Sequence, residues 1–245
     1  MMTQTLKIGL PVKKLDNGDK VIKSKFLEVL EKSGLLVKPI EDKTRPFTVL
    51  DFVDLKSFKN QIMVQTQPDI LNNLQDGIAD VGLVGRDKFN DFEAEIELAG
   101  KTSNLELSTV FDQAACRMVI AAPAVGDNIT VTPQYFSGKR IATSFPNILE
   151  QWCRKNNVRD VTPVERDGAI EIYVGLGAAD AVFDITESGT SLKRNGLKEY
   201  FELVQSSAVL VVSKHASDGV QDSIDLFRRQ LASQAIKQEV VPAFA

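Results

Sequence analysis

An α/β fold in two lobes is what this sequence predicts, and three observations carry it. Short apolar runs of strand character alternate with amphipathic segments of about ten residues, the order that parallel βαβ units require. A Gly-x-Ala-Asp step recurs one hundred positions apart, as Gly77-Ile-Ala-Asp80 and Gly177-Ala-Ala-Asp180, each closing a helix and opening a buried strand. The chain has 245 residues, 43% of them hydrophobic, and such a length fits one large domain or two lobes of roughly 100 residues each. The echo favours two similar lobes facing one another across a cleft, each offering strand ends and helix N-termini to it. Ligands of open α/β sheets sit outside the carboxyl ends of the strands.

Leu6-Lys-Ile-Gly-Leu10 alternates as a strand that stops at Pro11, which leaves Val12-Lys13-Lys14 in a loop. Ser24 to Lys32 reads as a helix with Phe26, Val29 and Leu30 on one face and Gly34 just past its end. After the charged, proline-broken stretch from Glu41 to Pro46 the chain turns apolar at Phe47-Thr-Val-Leu50, and Gln61 to Gln65 reads as a strand. Asp69 is placed to cap a helix that carries Ile70, Leu71 and Leu74 and ends at Gly77, ahead of a glycine-punctuated strand from Ala79 to Gly85. In the second half Cys116 to Ala122 and Lys139 to Thr143 are strands, and Ala124 to Ile129 is a loop. Ser144 and Pro146 open a helix with Ile148, Leu149 and Trp152 on its apolar face. Val209 to Val212 is a further strand, and Gln221 to Lys237 an amphipathic helix with Ile224, Phe227 and Leu231 inward.

Composition excludes several classes. The net charge is −4 with both signs interspersed, so there is no basic field of the kind duplex nucleic acid demands, and anionic ligands must be met locally. No long apolar stretch suits a membrane span and no leader is evident, so a soluble, cytoplasmic protein is expected. Two cysteines, Cys116 and Cys153, and a single histidine, His215, make neither a structural zinc site nor a disulfide framework. His215 falls in the polar stretch Ser213 to Gly219 and reads as solvated loop rather than part of a catalytic triad.

The stretch from Asp184 to Ser191 concentrates the chemistry. The apolar Ala181-Val-Phe183 runs into an acid and then into the hydroxyl-rich turn Ser188-Gly189-Thr190-Ser191, which leads into Leu192-Lys-Arg194. A buried strand ending this way presents backbone N–H groups and hydroxyls together at the positive end of a helix, which is a phosphate cradle. An ordinary strand-to-helix turn with Ser188 as N-cap is the other reading of the same residues. On the cradle reading, a tryptophan at Gly189 fills the turn and abolishes binding. The acids Glu171, Asp180, Asp184 and Glu187 lie close by in sequence. Asp180 reads more simply as a turn acid, Cys116 as a packed strand residue, and Lys13 and Lys14 equally as solvated charge or as anion contacts.

Taken together, Asp167-Gly168 with Glu171, Gly177 with Ala179-Asp180, Asp184 with Ser188-Gly189, Ser191-Leu192 and Asn195-Gly196-Leu197 resemble the ATP phosphoribosyltransferase family, in the family's own spacing. The similarity continues through Cys116-Arg117, Gly138 to Thr143 with Pro146, Asp69, Gly77 to Gly85 and Ser207-Ala208, and covers most of residues 62–213. It implies two α/β lobes of the periplasmic-binding-protein type, divided as residues 1–108 with 200–245 and residues 109–199. There are departures. The first loop reads Pro11-Val-Lys-Lys-Leu15, so Lys14 stands where the family carries an arginine, which exchanges a bidentate fork for a point charge. The family's Arg-x-x-Asp appears as Thr66 with Asp69, and its Ala-Pro after the motif glutamate as Tyr173-Val174.

The resemblance implies that N1 of ATP attacks C1 of phosphoribosyl pyrophosphate and that pyrophosphate leaves. Ser188, Gly189, Thr190 and Ser191 then hold the 5-phosphate, while Glu171 and Asp184 or Glu187 hold ribose hydroxyls. Lys14, Asp69 and Arg45 are further substrate contacts, with Arg45 the substitute for the missing arginine. Magnesium is expected mainly on substrate pyrophosphate oxygens. The chain also resembles the family's short form, which implies an oligomer with a synthetase-like regulatory subunit. Two rival readings stay open: a non-catalytic bilobed sensor of a phosphorylated ligand, and a silent paralogue serving as a subunit.

Overall fold

The computed structural model describes residues 5–14, 20–22, 24–35, 47–48, 60–126 and 128–235. Its first half runs β1 (Leu6–Lys14), β2 (Lys20–Ile22), α1 (Ser24–Lys32), β3 (Phe47–Thr48), β4 (Asn60–Gln65), α2 (Gln67–Gln75), β5 (Val81–Gly85) and α3 (Arg86–Leu98). Next come β6 (Leu105–Val110), β7 (Cys116–Pro123), a 3-10 turn (Pro133–Phe136), β8 (Arg140–Thr143), α4 (Pro146–Lys155), β9 (Thr162–Glu165) and α5 (Ile172–Gly175). The chain ends with β10 (Ala181–Thr186), α6 (Thr190–Arg194), β11 (Leu197–Ser206), β12 (Ala208–Ser213) and α7 (Asp218–Leu231). No helix of the described residues is long and apolar enough to cross a membrane.

Two compact units divide these residues. The first draws on residues 1–89, 102–114 and 207–240, the second on 90–101 and 115–206. This differs from the expected boundaries for a physical reason at each end. β11 pairs along β7 from Leu197↔Pro123 to Ser206↔Cys116, so the chain stays with the second sheet until residue 206 instead of leaving at 200. The later part of α3 joins the second unit, where Ala94 is buried among the aromatic core.

In the first unit the sheet order is β3-β4-β1-β5-β12-β6, with β2 on β1. β4, β1 and β5 are parallel, and β12 runs antiparallel to both its neighbours. Leu6, Ile8, Leu10, Ile62 and Leu83 bury one sheet face against Phe26, Val29 and Leu30 of α1 and Ile224, Phe227 and Leu231 of α7, so the inward faces expected for both helices are the observed ones. Pro11 does not end β1. The strand pairs with β5 only at Ile8 and Gly9, and beyond that it continues beside β4 as far as Pro11↔Gln65, where one side needs no ladder bond. Lys13 and Lys14 therefore lie in strand, paired with Val21 and Lys20 of β2, rather than in a loop.

The second unit orders its strands β11-β7-β10-β8-β9. β9, β8 and β10 are parallel, and β7 is antiparallel to β10 and β11. Phe136 centres its core, with the rings of Tyr135, Trp152, Tyr200 and Phe201 at 5.2, 6.1, 6.3 and 6.2 Å between centroids. Edge-on and tilted ring pairs of this kind hold beyond the area they bury.

The two sheets repeat one plan. Reading β4-β1-β5-β12-β6 against β9-β8-β10-β7-β11 matches strand order and direction throughout. The Gly-x-Ala-Asp echo is its marker. Gly77 and Gly177 stand at φ +71° and +68° after α2 and α5, a conformation glycine reaches without strain. Beyond them Ala79 donates to Asn73 O and Ala179 to Tyr173 O, each closing its helix. Asp80 then accepts the Lys7 N–H opening β1 at 2.8 Å, and Asp180 accepts the Arg140 N–H opening β8 at 2.8 Å.

Candidate functional site

β10 delivers the hydroxyl-rich turn. Its last residue, Thr186, accepts the Gly189 N–H on Oγ1 at 2.9 Å, which folds residues 186–189 back on the strand end. Gly189 takes φ +72° and is the N-cap of α6, so Ser188 is not the cap. The Ser188 and Thr190 hydroxyls lie 2.8 Å apart, and Thr190 N–H donates weakly to Ser188 Oγ at 3.4 Å. Ser188, Thr190 and Ser191 are exposed. Among the described residues the N–H groups of Ser191 and Leu192 carry no hydrogen bond. α6 is only five residues long, so its macrodipole is small and attraction for an anion rests on these amides and hydroxyls themselves.

Beneath the turn lies an ion pair that sequence reasoning did not place in the site. Arg117 of β7 grips Glu199 of β11 through both guanidinium nitrogens, Nη1 to Oε2 and Nη2 to Oε1 at 3.0 Å, and its Nη1 also reaches Glu202 Oε2 at 3.5 Å. The pair is about three-quarters buried, with side chains 27% and 26% exposed. Hydrogen bonding to Glu199 raises the Arg117 pKa, and hydrogen bonding to Arg117 lowers that of Glu199. Gly189 rests on this pair: a Cβ there would run into Glu199 Oε1 and sit 3.4 Å from Arg117 Nη2. A side chain at 189 thus strikes the floor of the turn instead of filling its open face. The separation of 82 positions from Arg117 to Glu199 leaves no local pattern to find, although Arg117 stands in the stretch that carried the family resemblance.

β8, β9 and β10 are neighbours and parallel, so the turns that follow them share one sheet edge. The turn after β9 holds Asp167, Gly168 and the half-buried Glu171, which opens α5 without a capping bond. Ser144 Oγ donates to Arg166 O at 2.8 Å and ties the β8 and β9 turns together; Ser144 is not a helix cap. The N-terminus of α4 is met by Asp91 of α3, whose Oδ1 accepts from Asn147 N at 3.1 Å and Ile148 N at 3.0 Å, with Oδ2 on Asn147 Nδ2 at 3.1 Å. Asp184 is half-buried and lies within β10 opposite Val119, two positions before the strand end, while Glu187 is exposed in the turn. Asp180, at the opposite end of that strand, is held by Arg140 Nη2 at 2.8 Å and Nε at 3.2 Å. The turn-acid reading is the one observed for Asp180.

The remaining residues belong to the first unit. Asp69 is not the cap of α2: Thr66 is, accepting Asp69 N–H at 3.4 Å and donating to Asp69 Oδ2 at 2.6 Å. The helix begins with Gln67-Pro68, earlier than its apolar pattern shows, and Asp69 supplies the acid of its first turn. The Lys14 backbone ends β1, its side chain lies outside the described residues, and Arg45 lies outside them altogether. His215 follows β12 and packs against Gly77. Burial pushes the Cys153 thiol up to about 11, which leaves it an inert core residue. Among the described residues no three His, Cys, Asp or Glu side chains gather as a metal site would require.

Comparison with known proteins gives a consistent picture. The family model for ATP phosphoribosyltransferase matches residues 66–233. An ATP phosphoribosyltransferase of Bacteroides thetaiotaomicron is 32% identical over 191 residues, covering 77% of this chain and 63% of the relative. One from Lacticaseibacillus casei is 34% identical over 193 residues, covering 79% of this chain and 82% of the relative. The chain thus spans less than two thirds of the Bacteroides relative and most of the Lacticaseibacillus one. Among solved structures, an ATP phosphoribosyl transferase (HisG:HisZ) complex from Thermotoga maritima superposes with a TM-score of 0.68 at 24% identity, covering 94% of this chain and 98% of that one. The arginine-bound form of a truncated ArgBP from the same organism superposes with a TM-score of 0.50 at 15% identity, covering 94% and 93%. These likenesses give the fold, an α/β arrangement of the periplasmic-binding-protein kind.

Proposed function

The chain belongs to the ATP phosphoribosyltransferase family, and on that premise we propose that it transfers the phosphoribosyl group of phosphoribosyl pyrophosphate to N1 of ATP, the opening step of histidine biosynthesis. The bond from N1 to C1 of the ribose forms, the bond from C1 to the pyrophosphate oxygen breaks, and the electron pair leaves with pyrophosphate. Such a transition state has oxocarbenium character and needs no protein nucleophile. Catalysis then rests on orienting two anionic substrates and stabilising departing charge.

The observation that carries this reading is the turn from Ser188 to Ser191, with three exposed hydroxyl residues, two of the hydroxyls held together, and amides at Ser191 and Leu192 that carry no hydrogen bond among the described residues. It suits a dianionic 5-phosphate better than a neutral ligand, because its amides and the hydroxyl donors not spent within the Ser188–Thr190 contact converge on one place. Glu171 in the neighbouring turn and Asp184 are assigned to the ribose hydroxyls, with Glu187 the alternative to Asp184. Lys14, Asp69 and Arg45 are assigned as further contacts to substrate. Any magnesium used would be carried mainly by substrate pyrophosphate oxygens, where it neutralises leaving-group charge. We further propose a cytoplasmic location and assembly with a synthetase-like regulatory subunit. The fold likeness to a complex of two named components supports such a partner.

The test is a pyrophosphate-release assay with both substrates and the regulatory partner supplied, preceded by calorimetric titration with phosphoribosyl pyrophosphate. Binding followed by release of one pyrophosphate per phosphoribosyl-ATP formed is the expected result. Binding without release identifies a sensor, and neither identifies a silent subunit.

A further inference from the structure

The support under the 186–191 turn deepens the reading just given and rests on it. Three strands meet there. β10 brings Thr186, whose hydroxyl fixes Gly189; β7 brings Arg117 on the rung directly opposite Thr186; and β11 brings Glu199. β11 carries register shifts between Glu199 and Phe201 and between Glu202 and Val204. Irregularities of this kind re-aim side chains at functional edges. Here Arg117 reaches both Glu199 and Glu202. Gly189 has no side chain to separate the turn from this pair, and the place a Cβ would take there lies against Glu199 Oε1 and 3.4 Å from Arg117 Nη2.

We propose that Arg117 and Glu199 are positioning residues for phosphoribosyl pyrophosphate: their bidentate pair is the platform that holds Gly189 and so aims the Ser188 to Ser191 amides and hydroxyls at the 5-phosphate. Glu199 has a second effect. By occupying both guanidinium nitrogens on one side, it keeps Arg117 flat under the turn rather than extended into solvent. A planar fork is suited to this and an ammonium is not. A Cβ at 189 would add to the strain of its left-handed φ a displacement of the Glu199 carboxylate, and so loosen the pair.

The experiment uses the full chain with Glu199→Gln and Arg117→Lys, each in three measurements: hydrogen exchange of the 186–194 segment without ligand, calorimetric affinity for phosphoribosyl pyrophosphate, and steady-state kinetics. Glu199→Gln keeps shape but loses the charge-assisted fork, so exchange at 188–192 should quicken and KM for phosphoribosyl pyrophosphate rise by about tenfold. KM for ATP and kcat should hold, and the thermal midpoint should fall only slightly, by the stability of the lost ion pair. The charge-exchanged double variant Arg117→Glu/Glu199→Arg should recover part of the loss. Unchanged exchange and unchanged KM in both single variants would overturn the proposal, as would a loss shared equally by both substrates and the thermal midpoint. If the wild-type chain binds no phosphoribosyl pyrophosphate, the transferase reading fails by itself, while the exchange measurement still decides whether the pair holds the turn.

Discussion

The turn after β5 and the turn after β10 occupy the same place in two copies of one sheet plan, and they are built to opposite ends. After β5, Gly85 donates its N–H to Gln67 Oε1, Arg86 N–H bonds to Ser207 O, and Asp87 is 8% exposed at the start of a 13-residue helix. After β10, the helix shrinks to five residues, the glycine moves to a left-handed position, and three hydroxyl side chains face outward. The last rung differs in the same sense. Gly85 stands opposite Ala208 in the first unit, and Thr186 opposite Arg117 in the second, so only the second rung carries an arginine beside the turn. One scaffold therefore carries a turn closed by packing and another propped open by an ion pair, and the chemistry follows the turn rather than the sheet.

The strongest way to break this comparison is to damage one unit alone. Phe136→Ala removes the hub of four ring contacts and should cost about 3–5 kcal/mol of stability in the second unit. Hydrogen exchange in β1, β4 and β5 should stay slow; loss of protection there would show that the two copies do not stand independently. Next in size, Gly189→Trp should weaken phosphoribosyl pyrophosphate binding by at least about 100-fold, because it drives the turn off Arg117 and Glu199. Gly177→Ala shares the left-handed strain without the floor, and calorimetry should find about 1 kcal/mol of lost stability and unchanged affinity. Equal binding losses in both variants would remove the special status of the β10 turn. Ser188→Ala should cost about 1–3 kcal/mol of binding through one charge-assisted bond.

The smallest effects separate the two marker acids. Burial pushes the Asp80 pKa up, whereas the hydrogen bond from Arg140 holds Asp180 down. A raised carboxyl contributes stability that is fully present below its unfolded value and is lost as pH rises through the folded one. A depressed carboxyl contributes stability that is present above the unfolded value and is lost as pH falls through the folded one. Asp80→Asn should therefore raise the thermal midpoint at neutral pH, and Asp180→Asn should lower it, with the Asp180 difference fading below about pH 4. Thermal scans across that range giving the same sign for both substitutions would contradict the assignment.

Much of this was legible where the physics is local. Helix Ser24–Lys32 follows from its apolar face, the Gly-x-Ala-Asp steps mark equivalent joints in the two sheets, and the hydroxyl turn follows directly on its strand. What escaped was set at a distance or lacked a pattern. β9 reads Thr-Pro-Val-Glu with little apolar content because it is an edge strand, two register shifts break the period of β11, and α3 is dominated by charged residues. Sequence does not separate Thr66 from Asp69 as the cap of α2, because an acid and a threonine three residues apart cap jointly. The floor of the site needed two strands brought together, and no spacing announces that.

Asp91 has one more consequence. Its carboxylate already satisfies the first free amides of α4, so the start of α4, a longer helix than α6, is plugged by the protein's own anion. A phosphoryl group arriving at that sheet edge finds this berth filled and is left with the neighbouring one at 188–191, which makes selectivity for the site partly a matter of which alternative has been taken away.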